Sequence, residues 1–334
     1  MRWLIFVILL FLGCASKDVF TPKNAKPKEL NSTTIYPKYL RDYTYKTLTF
    51  RELDLVYKKP TSFIDDGVWG EWVNYDLNNT KLGKFKKVDR DLAIYGDELK
   101  LIKENKVIKL PYLIATAFKR GDLIAILFED NSVGVLKNGK MIAYKKGDEV
   151  IAGRYLKAKP IIADDVIVFP TLNSKIYFYI ISANTFKPMD LSSYELIDNV
   201  IFVKYIASKD KLVIATPYKI AVLTSLSAEI LNKYRIKHIV MMDEYIYIFT
   251  IDGRVFKYDL DLKKIRDVDL PFADYFAPGV CKGRIYTITS NGYLIKFDKD
   301  LNYEVYKTDQ FDLAFPLRIR GCRIYNNDKV YEIE

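Results

Sequence analysis

Apolar and polar positions repeat along the C-terminal part of the chain at an interval of about 39 residues. An apolar run at 245–248 leads to Asp252-Gly253 and then to a second run at 255–259. The same order recurs at 284–287, Asn291-Gly292 and 294–298, with each position shifted by 39 residues. Asp-Gly and Asn-Gly supply the positive φ angles of tight hairpin turns. Each unit is therefore predicted to contain a β-hairpin, followed by an Asp-rich turn.

Weaker copies of this unit precede the two clear ones, and a shortened copy follows them. Apolar runs begin at Leu92, Leu123, Val166 and Leu212, and the last copy includes Ile324. Several strands per repeat at this period are typical of a β-propeller blade. Aromatic residues make up 14% of the chain, with 26 Tyr and 19 Phe, which also favours strands.

We therefore predict an all-β fold, a single β-propeller of four-stranded blades over residues 45–334. At about 39 residues per unit this domain holds about seven blades, with eight as the alternative. The segment 225–235 is either a short helix or a polar loop. The C-terminal hairpin is expected to pair with an N-terminal strand near 48–55, because closure by the two termini removes free sheet edges.

The N-terminus has the layout of a secretory signal. Arg2 precedes an apolar run at 3–12. That run is far shorter than the roughly 20 residues that cross a bilayer as a helix. The sequence Phe-Leu-Gly-Cys at 11–14 resembles the bacterial lipobox. The resemblance implies removal of residues 1–13 as a signal peptide and acylation of Cys14; an ordinary signal peptide with an incidental cysteine is the alternative.

The stretch 14–44 after the signal is polar and rich in proline, so it is expected to form a flexible tether. Ala15 stands where an aspartate would retain a lipoprotein in the inner membrane. Its presence favours anchoring in the inner leaflet of the outer membrane, with the protein facing the periplasm.

Asn31 and Asn78 each begin Asn-x-Ser/Thr with an acidic residue two positions earlier. That pattern resembles the acceptor of bacterial N-glycosylation, with coincidence as the alternative.

Few residues are suited to catalysis. The single histidine, His238, would have to serve any Ser-His-Asp or Cys-His mechanism, and we interpret it as a blade residue. Paired carboxylates at 65–66 and Asp164-Asp165 could serve a glycosidase, but they fall in predicted turns, which favour aspartate. The sequence contains no zinc-ligand spacing, calcium loop or phosphate loop. We therefore predict no catalytic, cofactor or metal site, and no enzyme.

Cys281 and Cys322 lie close to one repeat apart, which places them in neighbouring blades. They either form a disulfide, as an oxidising compartment allows, or remain buried thiols.

The net charge is +10, but the 52 basic residues are interspersed with 42 acidic ones. Nucleic-acid binding would favour a clustered basic stripe, so no nucleic-acid partner is expected.

Units of strand, Asx-Gly turn, strand and Asp turn behind a lipobox resemble the quinoprotein-like (PQQ-like) propellers. Among them, the chain is similar to the BamB-like lipoproteins of the outer-membrane β-barrel assembly machinery. The resemblance covers residues 45–334 and implies a non-catalytic scaffold for envelope protein partners, moored to the membrane by its lipid. Alternatives are a sensory propeller that binds a small ligand and an envelope enzyme that acts on glycans. Quinone-dependent chemistry needs a stacking tryptophan in the propeller, and none follows Trp72.

Overall fold

A computed structural model describes residues 19–34, 40–43, 47–51, 60–64, 86–89, 91–148, 158–192, 199–276, 278–315 and 317–333. For the strands between residues 40 and 88 only the backbone is described. The predictions for the signal peptide, Cys14, Asn78 and the carboxylates at 65–66 concern positions outside these ranges.

The strands of the first half of the chain begin with two short ones, β1 (Lys26–Pro27) and β2 (Ser32–Thr34). We number the sheets in chain order. Sheet 1 consists of β3 (Leu40–Tyr43), β4 (Thr47–Arg51) and β5 (Pro60–Ile64). Sheet 2 consists of β6 (Lys86–Asp89), β7 (Leu92–Tyr95), β8 (Glu98–Leu101) and β9 (Lys106–Lys109). Sheet 3 consists of β10 (Ile114–Arg120), β11 (Leu123–Phe128), β12 (Val133–Lys137) and β13 (Lys140–Lys145). Sheet 4 consists of β14 (Ile161–Ala163), β15 (Val166–Pro170), β16 (Lys175–Ile180) and β17 (Thr185–Asp190).

The second half continues in the same way. Sheet 5 consists of β18 (Phe202–Ile206), β19 (Lys211–Ala215), β20 (Ile220–Leu223) and β21 (Ala228–Leu231). Sheet 6 consists of β22 (Ile236–Met242), β23 (Tyr245–Thr250), β24 (Arg254–Tyr258) and β25 (Lys264–Asp269). Sheet 7 contains β26 (Gly279–Cys281), β27 (Arg284–Ile288), β28 (Tyr293–Phe297) and β29 (Tyr303–Lys307). Sheet 8 contains β30 (Leu317–Arg320), β31 (Arg323–Asn326) and β32 (Lys329–Glu332). A 3₁₀ turn at Ala207–Lys209 is the one helical element in the described ranges.

Consecutive strands within each sheet pair antiparallel, in the order in which they follow in the chain. The two N-terminal strands extend the last two sheets. β1 adds in parallel to β29 as a fifth strand of sheet 7, and β2 adds antiparallel to β32 as the fourth strand of sheet 8. Sheets 2–8 thus each contain four antiparallel strands, and sheet 1 contains three described strands. The prediction of an all-β propeller with about seven blades, or eight, is confirmed.

The first strand of each sheet lies innermost. First strands of successive sheets contact one another from sheet 2 to sheet 5 and from sheet 6 to sheet 8, as β10 contacts β14 and β22 contacts β26. Apolar side chains fill the space between neighbouring sheets from sheet 2 to sheet 8. The second strand is covered on both faces, which explains why 246–249 is an unbroken buried apolar run. The outermost strand β25 is largely exposed and correspondingly rich in charge.

Three expectations require correction. The C-terminal hairpin pairs with β2 and not with the described part of the segment 48–55, because β4 (residues 47–51) pairs with β3 and β5. Residues 19–34 of the expected tether lie on the propeller, since burial of Phe20 and Leu30 and strand pairing hold them there. The segment 225–235 is neither a helix nor a loop throughout, because 228–231 form β21 and pair with β20.

Candidate docking surfaces

The propeller has two faces, defined by the loops that join its strands. In an antiparallel four-stranded sheet, the turn between the second and third strands lies at the same end as the connections between sheets. We call this end the connection face. The turns between the first and second strands, and between the third and fourth, lie at the other end, which we call the hairpin face.

A groove opens on the hairpin face between sheets 4 and 5. Its volume is about 720 Å³. The floor is apolar and is formed by strands of both sheets, with side chains from Val166, Val168, Phe178, Ile180, Leu212 and Leu223. Most of these side chains also belong to the core between the two sheets. The groove is therefore an open continuation of the core, where two blades diverge without a side chain to fill the gap.

The rim of the groove is mainly acidic. Asp164 and Asp165 stand in the turn between β14 and β15, and Asp210 follows the 3₁₀ turn, while Lys187 is the one lysine in the lining. The Tyr205 hydroxyl donates a hydrogen bond to the Asp210 carboxylate at 2.9 Å, which raises the pKa of Tyr205. Arg120 lies 3.5 Å from the Asp164 carboxylate, so Asp165 and Asp210 supply the negative charge of the rim, in contrast to the net charge of +10 of the whole chain.

Leu226 projects from the rim into solvent. Its side chain is 96% exposed. The Thr224 hydroxyl accepts hydrogen bonds from the backbone amides of Leu226 and Ser227, at 3.2 and 2.9 Å, so the turn between β20 and β21 has a defined shape. Leu226 lines the groove and extends its apolar surface, and contiguous exposed apolar surface marks binding sites.

A second feature is the strap, which we define as residues 19–34. Phe20 is buried in the core between sheets 6 and 7, and its ring meets the Tyr293 ring edge-on at 5.8 Å. Leu30 is buried between sheets 7 and 8, where its amide donates to the Gln310 side chain at 2.7 Å and its carbonyl accepts from it at 3.0 Å. The strap therefore crosses the outer edges of two sheets.

Charged side chains reinforce the strap. The Lys26 ammonium lies 2.9 Å from the Glu304 carboxylate. Lys26, Tyr306 and Lys296 together hold the pKa of Glu304 at about 2. The Lys28 ammonium lies 4.7 Å from the centre of the Tyr306 ring, a cation–π geometry. All of these groups lie near the surface, so they position the strap more than they stabilise it.

Of the residues singled out for catalysis, the described ones lie in different sheets and do not converge. His238 is buried in β22 and its Nε2 lies 3.2 Å from the Tyr275 carbonyl oxygen. Burial, with smaller contributions from Lys237 and Arg318, lowers its pKa to about 3, so the imidazole is neutral at pH 7. Asp164 and Asp165 lie in a turn, as predicted. Within the described ranges no group of three His, Cys, Asp or Glu side chains could hold a metal ion.

The remaining candidates have distinct positions. Cys281 and Cys322 are joined by a disulfide between sheets 7 and 8, with their Cα atoms 4.7 Å apart. Asn31 is exposed in the strap, and its carbonyl accepts a hydrogen bond from the Glu332 amide. Its glycosylation stays a prediction. No helix in the part of the chain that the structure describes is long and apolar enough to span a bilayer.

Sequence reasoning missed both the groove and the strap. The groove depends on how far two neighbouring sheets diverge, which no local pattern encodes. One sequence feature does point to the rim of the groove: Leu226 is a single apolar residue between the polar Ser225 and Ser227. Phe20, which follows Val19, and Leu30 are among the few large apolar residues of a polar stretch, and each is the buried contact of a segment that otherwise mostly faces solvent.

No family model matches the chain. Its sequence is similar to the plasminogen-binding protein PgbB of two Helicobacter pylori strains, at 25% and 24% identity over 255 residues, which is 73% of this chain. The chain spans about half the length of these relatives, at 47% and 46%.

Solved structures with a similar fold include BamB from Moraxella catarrhalis, with a TM-score of 0.56 at 11% identity, over 91% of this chain and 99% of that one. The C-terminal WD40 domain of Sif2 has a TM-score of 0.57 at 11% identity, over 94% of this chain and 100% of that one. At these identities the likeness concerns the fold. The chain has a BamB-like β-propeller fold, and its sequence is distantly related to that of PgbB.

Proposed function

We propose that this protein is a lipid-anchored, non-catalytic propeller of the bacterial envelope that binds an extended segment of a protein partner in the groove between sheets 4 and 5. The groove itself is the observation that carries this proposal. It combines an apolar floor, an ordered rim and a size suited to two or three side chains. A propeller offers a rigid disc whose loops form a broad face suited to docking of peptides or proteins.

The chemistry of the groove specifies the segment that it binds. Apolar side chains enter the floor, where they replace water against Val168, Phe178 and Leu212. Lysine or arginine side chains of the partner pair with the carboxylates of Asp165 and Asp210 at the rim. The preferred partner segment is therefore apolar and basic, and an acidic segment is repelled.

In this proposal Cys14 is acylated after removal of residues 1–13. Its acyl chains insert into the inner leaflet of the outer membrane, and the propeller faces the periplasm. The fold of BamB supports a role as a scaffold for envelope proteins, including outer-membrane protein assembly. The neutral, buried state of His238 agrees with a non-catalytic role, since no other histidine is present in the chain.

A second candidate function is plasminogen binding, which the similarity to PgbB favours. The two proposals require different locations for the protein. Plasminogen binding requires exposure on the outside of the cell, whereas the proposed scaffold faces the periplasm. Protease accessibility of the protein in intact cells separates them. Degradation by added protease supports plasminogen binding, and protection until the outer membrane is permeabilised supports the periplasmic scaffold.

Selection of peptides tests the groove. A random peptide library is displayed on phage and selected against the immobilised full chain, and enriched peptides are measured by fluorescence anisotropy. We expect sequences with large apolar residues flanked by Lys or Arg. Leu226→Ser should weaken their binding about tenfold, equivalent to about 1.4 kcal/mol. Ile265→Ser, which changes an exposed apolar residue on β25, is the matched control. Acidic enriched peptides, or binding that Leu226→Ser leaves unchanged, would refute the proposal.

A further inference from the structure

The strap leaves very little free chain between the propeller and the anchor. Cys14 and Val19, the first described residue, are five residues apart. Five residues span at most about 17 Å even when fully extended. A flexible tether of the whole stretch 14–44 would have let the propeller move several times farther from the membrane. The anchored propeller must instead stay close to the lipid surface.

The strap also fixes the face from which the anchor emerges. The Asn291 side-chain amide donates a hydrogen bond to the Phe20 carbonyl at 2.5 Å. Asn291 belongs to the turn between β27 and β28, which is the middle turn of sheet 7 and lies on the connection face. The chain toward Cys14 therefore starts from the connection face and not from the hairpin face, where the groove opens.

Exposed apolar side chains lie on the same face as this exit point. Four of them lie on the connection face of sheets 6 and 7, and they are Val19, Ile251, Phe272 and Leu313. Ile251 belongs to the middle turn of sheet 6, whereas Phe272 and Leu313 belong to the connections that precede and follow sheet 7. Leu313 lies directly beside Gly292, the residue that follows Asn291, at 3.5 Å from the position of an added Cβ. The turn that carries Phe272 packs against Gly253 in the turn of Ile251, and Phe20 shares a core cluster with Leu270 and Ala273, so these side chains lie on neighbouring turns of one face.

Phe272 combines an exposed ring with a backbone conformation that is unfavourable for a bulky residue. Its side chain is 57% exposed, and its φ angle is +64°, in the left-handed region. The Ala273 amide donates to the Leu270 carbonyl at 3.0 Å, which closes a turn with Pro271 second and Phe272 third. Glycine or asparagine normally fills a third position with positive φ. A bulky residue there costs folding free energy, and within the described structure more than half of its side chain stays exposed.

We propose that the connection face of sheets 6 and 7 lies against the lipid membrane, with Val19, Ile251, Phe272 and Leu313 in the interfacial region. This inference rests on the acylation of Cys14 in the proposed function. Apolar side chains on turns gain free energy when they enter the interface, and the anchor holds them within reach of it. The groove between sheets 4 and 5 then opens on the opposite face, toward the aqueous compartment and its protein partners.

Depth-dependent quenching tests this orientation. The full chain is expressed with its signal, extracted, and reconstituted into vesicles of phosphatidylethanolamine and phosphatidylglycerol. Single cysteines at Phe272→Cys, Leu313→Cys and Leu226→Cys are labelled with an environment-sensitive fluorophore. Phospholipids spin-labelled near the head group should quench most of the fluorescence at positions 272 and 313 and little at position 226. Equal quenching at all three positions, or quenching only at 226, would overturn the proposal.

A second variant separates lipid contact from folding. Phe272→Gly removes the ring and suits the positive φ, so its melting temperature should equal or exceed that of the wild-type protein. In the same vesicles it should reduce quenching of the label at position 313, and unchanged quenching there would count against a shared contact region.

The intact mass of the extracted protein distinguishes the two proposals. Acyl chains on Cys14 together with unquenched labels at 272 and 313 would overturn the orientation alone and leave the anchored scaffold intact. A mass without acyl chains would overturn both the anchor and the orientation, whereas peptide binding in the groove is independent of either result.

Discussion

The carbonyl of Phe20 accepts a hydrogen bond from the side-chain amide of Asn291, a residue 271 positions later in the chain. The same phenylalanine places its ring against Tyr293. A segment that composition alone assigns to a flexible tether is thereby fixed to the seventh sheet of the propeller. The last two sheets are completed by this strap, and the proposed anchor point and membrane orientation rest on it.

Phe20→Ala should destabilise the propeller. Loss of a buried ring costs about 3 kcal/mol, since the surrounding core closes only in part. Urea unfolding of the full chain, followed by tyrosine fluorescence, measures the change. Val19→Ala, at the exposed neighbouring position, should change stability by less than about 0.5 kcal/mol. Equal effects of the two substitutions would show that the Phe20 ring does not hold the strap.

Reduction of the disulfide should loosen sheets 7 and 8. Cys281 and Cys322 are separated by 41 positions, and a cross-link of this span contributes about 2–4 kcal/mol. The double variant Cys281→Ala/Cys322→Ala should have a lower urea midpoint than the wild-type protein. Dithiothreitol should lower the midpoint of the wild-type protein and leave that of the double variant unchanged. A wild-type midpoint that does not respond to dithiothreitol would contradict the bond.

The buried His238 predicts a loss of stability at acidic pH. Its folded pKa is lowered to about 3, whereas the unfolded value is near 6.5. The unfolded chain therefore binds an extra proton below pH 6.5, and stability falls as the pH decreases from 6.5 toward 3. The slope is at most about 1.4 kcal/mol per pH unit for one group. His238→Gln should show a shallower dependence between pH 6.5 and 5, and identical pH profiles for the two proteins would contradict a buried neutral imidazole.

Gly279 marks a close approach between the innermost strands of sheets 7 and 8. A Cβ at this position would lie 2.5 Å from Ile319 Cγ2 and 2.8 Å from the Ile319 carbonyl oxygen. Gly279→Ala should therefore destabilise the protein by about 1–3 kcal/mol through overpacking. Ile319→Ala removes the nearest methyl group but not the carbonyl oxygen, so a double-mutant cycle should recover only part of the loss. Strict additivity would show that the strands are farther apart.

The repeat made the blade architecture predictable. Its clearest elements, the apolar second strand and the Asx-Gly turn, are dictated locally by burial on both faces and by turn geometry. One detail of that turn differs from expectation, because Gly253 has a positive φ of 89° while Asp252 does not. The side chain of Asp252 instead accepts a hydrogen bond from the Thr250 hydroxyl. The same contact recurs between Thr289 and Asn291 at 2.6 Å.

The strap was not predictable in the same way. β2 pairs only at the outer edge of sheet 8, where its residues Ser32–Thr34 are exposed, so no alternation of apolar and polar residues marks it. Its pairing joins residues about 300 positions apart, and only the assembled blade reveals the vacant edge. The groove is likewise a property of two assembled sheets, with the exposed Leu226 as its one local signal.

Photocrosslinking in living cells tests the central claim most directly, that the groove between sheets 4 and 5 receives a protein partner. A photoreactive amino acid replaces Leu226, and in a control strain it replaces Ile265, which is exposed on sheet 6. We expect a discrete protein adduct from position 226, lost when Asp165 and Asp210 are both changed to Lys, and no such adduct from position 265. Absence of an adduct at 226, or the same adduct at 265, would contradict the account.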